Sequence, residues 1–386
     1  MPPTNDARIV SNDLVSKLKG ARTVKKRTEP LWKGPCNTGE MGGITFSMLS
    51  RFLVCRERFR IAYVEGIKPA PRFNHRIEYG HMWHLCEETY LSEQHSELWS
   101  EVLADYCKGL CEKYRTDQEQ IKHWYQVCRT QFPLYLKYWA KHPDMVKSEN
   151  LLREKTFSVS YTLPSGRVVI LRGKLDSVDR VTGKGSNTGI WLFEHKTKGD
   201  INADLVQRQL TFDLQTMLYM VALNQHCESD DCTFATDNAC SLIRGVRYNV
   251  VRRPLSGGKG TIVRHKPTGK NPRGESPEEF YARLGTIIKE DAPNFFMRWN
   301  VVIAPGDVKR FRERCLDPIL EQLCHWWDVQ TTGISPHLPH WAANWQHPFG
   351  CYNILDEGGA SDLDSYIASG DMIGLQRVEN LFEELQ

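Results

Sequence analysis

The sequence predicts a mixed α/β protein, with a β-sheet core and helical elaboration around it. Three observations lead there. Helical periodicity fills residues 48–140, strand alternation broken by turns fills 155–196, and a helix and a further strand follow over 203–251. The resulting order is strand, strand, strand, helix, strand, set between two helical regions. The chain's 386 residues suffice for two modest domains or for one core with large insertions. Apolar residues make up 40% and charged residues 25%, an ordinary globular balance.

The elements follow in order. Ser47 is placed to cap a helix over 48–64, with Leu49, Phe52, Leu53, Phe59 and Tyr63 as its apolar side. After a turn at 68–72, a second helix is expected over 77–91, carrying His81, His84 and Glu88. Two more helices are expected over 97–115 and 119–140. Residues 155–163 alternate as a strand, and Pro164-Ser165-Gly166 is a turn into a second strand over 167–179. A turn at 183–189 leads to a third strand over 190–196, then a helix over 203–226 and a fourth strand over 243–251. Ser276-Pro277-Glu278-Glu279 has the form of a helix start, with a cap, a proline at the first position and a capping-box glutamate. A strand over 295–303 and a helix over 307–329 complete the pattern.

Charge and cysteine usage narrow the classes. A net charge of +3 is too weak to argue for a polyanionic partner, so any nucleic-acid surface must come from local clustering. No run of 18 apolar residues exists, and no membrane span is expected. The polar N-terminus, with Lys25-Lys26-Arg27 and no apolar stretch, is unlike a secretory signal and reads as a disordered basic arm. The 12 cysteines are scattered, which fits reduced thiols in a cytosolic compartment.

The chemistry concentrates on two strands. Asp176 stands near the end of the second, in Gly173-Lys174-Leu175-Asp176, and Glu194-His195-Lys196 ends the third. Alternation along a strand puts Glu194 and Lys196 on one face and His195 on the other. If the strands are neighbours, Asp176 and Glu194 converge. Two close carboxylates repel and ionise together comfortably only around a cation, and oxygen ligands suit Mg²⁺ or Mn²⁺. A lysine beside them can position or deprotonate a water, or steady charge on a phosphate. An acid-x-Lys triplet alone is cheap: roughly two or three occur by chance in a chain of this length, and a second stands at Asp307-Val308-Lys309. Gln-x-x-x-Tyr also occurs at both Gln131/Tyr135 and Gln215/Tyr219, and Gly-x-x-x-His at Gly80/His84 and Gly333/His337.

The order of the pieces is more specific than any one of them. Gly80-x-x-x-His84 on a helix, Gly173-x-x-Asp176 and Glu194-x-Lys196 on successive strands, and Gln215-x-x-x-Tyr219 on the next helix appear in sequence. This arrangement resembles the RecB-like nucleases of the PD-(D/E)XK superfamily, in particular stand-alone phage- and plasmid-type members. The segments Phe46 to Phe59 and Tyr79 to His84 share in the resemblance, which covers roughly 44–330. It implies a restriction-endonuclease-like mixed sheet flanked by helices. It implies a nuclease domain over 44–330, with a helical part at 44–150, a catalytic core at 151–251, and a basic loop and helical part at 252–330. An arm at 1–43 and an extension at 331–386 lie outside it. Asp176, Glu194 and Lys196 would be catalytic. His84, Asp176, Glu194 and the His195 backbone carbonyl would hold Mg²⁺ or Mn²⁺. Gln215 and Tyr219, sharing a helix face, would orient the centre and touch DNA, and Arg208 on the same face would meet a phosphate. His84 by itself also reads as a packed helix histidine, and Tyr219 as a core residue.

The resemblance further implies a DNA nuclease, favoured as an exonuclease, working in recombination, repair or phage DNA processing. It would leave a 5′-phosphate and a 3′-hydroxyl. DNA is the expected partner, with a recombination or single-strand-binding protein beside it, in a prokaryotic or phage-infected cytoplasm. Residues 252–273 carry seven Lys or Arg and no acid. They form either a solvated insertion or a phosphate-binding flap through Arg264, Lys266, Lys270 and Arg273, and the lack of acids favours the flap. An iron–sulfur cluster is not expected: Cys55 matches a first ligand, but Cys315, Cys324 and Cys351 lack tight spacing. Cys227, Cys232 and Cys240 look loosely zinc-like without a clear fourth ligand. Two alternatives stand: a CRISPR-adaptation-type nuclease, which the missing cysteine cluster disfavours, and a DNA-end-binding protein with a silent core, which the complete Asp, Glu, Lys set disfavours.

Overall fold

The computed structural model describes residues 29–92, 95–141, 148–182, 188–227, 243–255, 262–269, 272–332, 375–382 and 385. The chain divides into two compact units. One comprises Met1–Pro71, Ser160–Arg172 and Asp317–Gln386; the other comprises Arg72–Val159 and Gly173–Leu316.

In the first unit, α1 (Phe46–Val54) is capped by Thr45, whose side chain accepts from the Met48 amide at 3.3 Å. The expected cap at Ser47 is therefore two residues late. The helix also stops at Val54, because Cys55 is fully extended; a short helical turn (Arg56–Phe59) and a π-turn (Arg60–Val64) carry the chain on. Aromatic rings knit this unit: Trp32 meets Phe59 edge-on at 5.1 Å, and Phe52 meets Trp326 at 5.7 Å. Trp32 and Leu31 are buried. The expectation of a disordered arm through residue 43 thus fails for residues 29–43, because Trp32 has a core to enter. A small antiparallel ribbon pairs β1 (Ile67–Pro69) with β7 (Leu375–Arg377).

The second unit opens with α2 (His75–Leu91), capped by Asn74, then α3 (Trp99–Lys113) and α4 (Gln118–Lys141). These pack with α7 (Pro277–Glu290) around buried Tyr79, Trp83, Trp124, Phe132 and Phe280. The capping box expected at Ser276 and Glu279 is present. The packing of Trp83 on Phe132, edge-on at 5.3 Å, fixes the turn of α2 that carries His84.

A five-stranded sheet runs in the order β2 (Ser148–Thr162), β3 (Val168–Val181), β4 (Gly189–Lys198), β5 (Ile243–Arg252), β6 (Phe296–Val302). The hairpin end of β2 and β3, residues 160–172, belongs to the first unit. β3 and β4 are antiparallel, β4 and β5 parallel, β5 and β6 antiparallel. A parallel neighbour needs a crossover connection, here α5 (Ala203–Leu210) and α6 (Leu214–Cys227). β5 lies between two neighbours and is buried at nine of its ten positions, as a covered central strand requires. Gly245 sits where the β4–β5 register shifts, and any side chain there would strike the Val301 carbonyl at 2.0 Å.

Two expected helices are broken. The one expected over 203–226 stops at Leu210 and restarts at Leu214, with Phe212 in a left-handed turn (φ 59°) and Asp213 accepting from the Thr216 amide at 3.4 Å. The one expected over 307–329 begins at Pro305 and passes through a π-turn, Arg312–Leu316, giving α8 (Pro305–Phe311) and α9 (Asp317–Thr332). No helix among the described residues is long and apolar enough to cross a membrane.

Candidate active site

The β3–β4 ladder ends at the pair Ser177 and Phe193, so Asp176 and Glu194 stand just past it, where the two strands part. Parting frees their side chains and backbone from pairing with each other. The His195 amide donates instead to Asp176 Oδ2 at 2.8 Å. His195 thus helps the centre through its backbone, while its ring turns to the other face of β4.

Glu194 is buried, and its two oxygens differ. Oε1 accepts from Lys196 Nζ at 2.6 Å, whereas Oε2 has no partner among the described residues. Lys196 Nζ also donates to Gln215 Oε1 at 2.7 Å, and Gln215 Nε2 donates to the Tyr219 hydroxyl at 3.2 Å. The i, i+4 spacing of Gln215 and Tyr219 on α6 makes that relay geometrically possible. Tyr219 is buried and meets Phe157 edge-on at 5.5 Å. Gly173 leaves room for both rings: a Cβ there would lie 2.5 Å from Phe157 and 2.9 Å from Tyr219.

The electrostatics follow from burial. Burial pushes the Glu194 carboxyl up to about 7, with Lys196 opposing and Asp176 adding to the rise. Burial likewise raises Asp176 above the usual carboxylate range, against the pull of His195 and Lys196. Burial and the neighbouring His195 hold His84 below the ordinary imidazole value, which keeps it neutral, the form that binds metals. For Lys196, burial favours the neutral amine, but Glu194 outweighs it and the ammonium is reinforced.

His84, Glu154 and Asp176 each offer a ligand atom, and these atoms lie within 4.8 Å of one another. With the unpartnered Glu194 oxygen beside them, this donor set of carboxylates and one neutral imidazole fits a divalent cation such as Mg²⁺ or Mn²⁺. The sequence pattern does not single out Glu154. The strand expected over 155–163 in fact begins at Ser148, so Glu154 and Glu149 both stand before its expected start.

The opposite face of β4 is organised differently. His195 Nδ1 lies 2.6 Å from Glu87 Oε2. Asn249 Nδ2 donates to Glu87 Oε1 at 3.0 Å and to the Tyr135 hydroxyl at 2.9 Å, and Arg298 donates to Asn249 Oδ1 at 3.0 Å and to Tyr135 at 2.7 Å. Arg298 also stacks 4.1 Å from the Trp139 ring. Burial would lower the pKa of His195, but the Glu87 carboxylate outweighs it and raises it.

Thus His84, Asp176, Glu194, Lys196, Gln215 and Tyr219 come together within one unit. Arg208 does not join them by the expected route, because the break at 211–213 ends the helix on which it would share a face with Gln215; it is exposed on α5. The described parts of the basic segment are tied to the second unit at two places. Arg252 and Arg253 are buried at its base, where the Arg253 amide donates to the Lys198 carbonyl at 2.8 Å. Farther on, buried Glu275 accepts from the His265 amide at 2.9 Å and from Arg283 at 2.6 and 2.7 Å. Arg264, Lys266 and Arg273 are exposed; Lys270, Cys232, Cys240 and Cys351 lie outside the described residues.

Two comparisons bear on this geometry. No curated protein matches the chain. A family model described as the PD-(D/E)XK nuclease superfamily matches residues 44–304, a span that includes every strand of the five-stranded sheet and each of the six clustered residues. With the mixed sheet and the parted strand ends that carry its acid, acid-x-Lys pattern, the chain belongs to the PD-(D/E)XK nuclease superfamily.

Proposed function

We propose that the protein is a DNA nuclease, favoured as an exonuclease, that hydrolyses phosphodiester bonds with Mg²⁺ or Mn²⁺ during recombination, repair or phage DNA processing. The observation that carries this reading is Glu194: a buried carboxylate with one oxygen on Lys196 and the other unpartnered among the described residues, close enough to Asp176 and His84 to feel their charges. Asp176, Glu194, His84 and the His195 backbone carbonyl would hold the cation. When bound, it supplies Lewis acidity toward a phosphoryl oxygen and lowers the pKa of water.

The chain's own residues do the rest. Lys196 spends two of its three N–H donors on Glu194 and Gln215, which leaves one for an incoming water or phosphate oxygen. Since Glu194 keeps it an ammonium, it steadies negative charge and orients the nucleophile rather than taking its proton. Gln215, fixed by Tyr219, holds Nζ in place. The His195 amide holds Asp176. In-line attack by water would form the new P–O bond and break the P–O3′ bond, the water's proton passing to solvent and the leaving 3′-oxygen taking one from solvent, to give a 5′-phosphate and a 3′-hydroxyl.

Digestion of end-labelled single- and double-stranded DNA, with and without Mg²⁺, is the test. Cation-dependent release of 5′-phosphorylated products from ends is expected. DNA binding without cleavage, in any cation, would replace this reading with that of a DNA-end-binding protein.

A further inference from the structure

We propose that Glu154 is a ligand of the same cation, and that Lys174 holds its place until the cation arrives. The inference rests on reading the centre as a metal site. The ligand atoms of His84, Glu154 and Asp176 lie within 4.8 Å of one another, so one cation can reach all three. Glu194, close enough to feel the charges of Asp176 and His84, is buried with Oε2 unpartnered among the described residues, an independent sign of a ligand oxygen at this cluster.

The backbone at Glu154 supports the assignment. Its φ is 45°, in the left-handed region that residues with a Cβ rarely adopt, and it lies in the middle of β2. A strand that keeps such a kink at an acid whose carboxylate reaches Asp176 and His84 is positioning that acid for a purpose other than pairing. Sheet formation alone would favour an extended residue there.

Glu154 Oε2 is engaged by Lys174 Nζ at 2.9 Å. Lys174 stands two residues before Asp176, on the same face of β3. A cation entering the trio competes with this ammonium for the same carboxylate. Lys174, released from Glu154, would have its charge available to a DNA phosphate. Cation loading and phosphate capture are thereby linked through one exchange of partners.

Mn²⁺ titration calorimetry on the full chain tests this, with wild type, Glu154→Gln, Lys174→Gln and Asp176→Ala, each first checked for an unchanged cation-free melting curve. Glu154→Gln is expected to weaken Mn²⁺ at least tenfold, and Glu154→Asp, which restores a carboxylate and serves if the glutamine variant fails to fold, to recover part of that loss. Lys174→Gln is expected to tighten Mn²⁺ several-fold by removing the competitor. It should also weaken DNA binding in Ca²⁺ while leaving binding in chelator unchanged. Glu154→Gln with wild-type affinity, while Asp176→Ala loses it, overturns the role of Glu154 and leaves the metal centre standing. Weaker Mn²⁺ binding by Lys174→Gln overturns the exchange. Absence of Mn²⁺ binding by wild type overturns the centre itself.

Discussion

The two faces of β4 differ by one residue of alternation and by nearly everything else. On one face, Glu194 and Lys196 form a buried pair with an oxygen left over, beside a second carboxylate that burial also makes reluctant to ionise. On the other, His195 is closed in by Glu87, and Asn249, Tyr135 and Arg298 complete the network. Both faces bury charge. On the second, the ion pair with His195 holds the Glu87 carboxyl below its ordinary range despite burial, whereas on the first burial outweighs Lys196 and Glu194 Oε2 has no partner among the described residues; an unpartnered buried polar atom costs about 1–3 kcal/mol. One strand therefore carries a structural site and a chemical site back to back, and the register at residues 194–196 decides which is which.

The sharpest way to break the comparison is to remove the deficient face. Asp176→Ala and Glu194→Ala should each lower cleavage at least about a thousandfold, because a bound cation contributes several kcal/mol to the transition state and each 1.36 kcal/mol is tenfold in rate. Lys196→Ala should lose roughly a hundred- to a thousandfold in turnover, the scale of one charge-stabilising donor, while Mn²⁺ affinity changes little. Steady-state kinetics beside Mn²⁺ titration separates these. Near-normal cleavage by either carboxylate variant would remove that acid from the metal site. A collapse of metal affinity in the lysine variant would make Lys196 a structural prop of the site instead.

The paired face should respond in stability instead. Glu87→Ala leaves His195 and Asn249 without their carboxylate and should cost about 3–5 kcal/mol, the usual penalty for breaking a buried pair from one side. Glu194→Gln keeps an acceptor for Lys196 and should cost about 1 kcal/mol or less in cation-free protein, on the scale of a single hydrogen bond. Urea unfolding in chelator measures both. Equal losses would mean that the two faces are energetically alike.

Two glycines of the motif pattern give a finer test. A Cβ at Gly173 meets the Phe157 and Tyr219 rings, so Gly173→Ala should cost about 1–3 kcal/mol from overpacking and displace Tyr219 from Gln215. A Cβ at Gly80 meets only Thr197 Oγ1 at 3.5 Å, so Gly80→Ala on α2 should be neutral or gain up to about 1 kcal/mol of helix propensity. Melting temperatures and turnover of the two variants check this. A tolerated Gly173→Ala with full activity would remove Tyr219 from the relay.

What the sequence disclosed follows the range of the interaction. Alternation and turn chemistry are local, and they located β3, β4 and β5 within two residues and the Ser276 capping box at its residues. Motif order brought His84, Asp176, Glu194, Lys196, Gln215 and Tyr219 together across more than a hundred residues. The break at Phe212 escaped, because apolar residues continue through it and only a positive φ marks it. Glu154 escaped because legible alternation starts only at 155, whereas β2 begins at Ser148 and carries a left-handed residue at Glu154 that interrupts the pattern. The packing of Trp32 escaped because its partners, Phe59 and Trp327, are distant in sequence, and burial by distant partners cannot be read from a polar neighbourhood.

The basic segment lies between these extremes, and pH should expose how it is held. Hydrogen bonds from Arg283 and the His265 amide hold the Glu275 carboxyl down to about 2. A folded value below the unfolded one means that this anchor contributes fully above the ordinary carboxylate range and is lost as pH falls toward about 2. Amide exchange at His265 should therefore stay slow near neutrality and accelerate, relative to other protected amides, in acid. Glu275→Gln should show the accelerated exchange already at pH 7. Exchange at His265 that is insensitive to both changes would mean that Glu275 is not the anchor.

The smallest expected effect concerns the cations the anchor displays. Arg264, Lys266 and Arg273 are exposed in the segment after β5, the strand beside the one carrying Glu194 and Lys196. On the proposed function these exposed cations would meet DNA through phosphate contacts, each releasing roughly 0.7–0.9 of a counterion. Neutralising the three together should weaken DNA affinity and flatten the slope of log affinity against log salt by up to about two to three units. Turnover at saturating DNA should change little, since none of the three touches Asp176, Glu194 or Lys196. Fluorescence anisotropy of labelled DNA at several salt concentrations reads the slope directly. An unchanged slope with unchanged affinity would make the segment a solvated insertion held in place by Glu275, and would confine DNA recognition to the surfaces nearer the carboxylates.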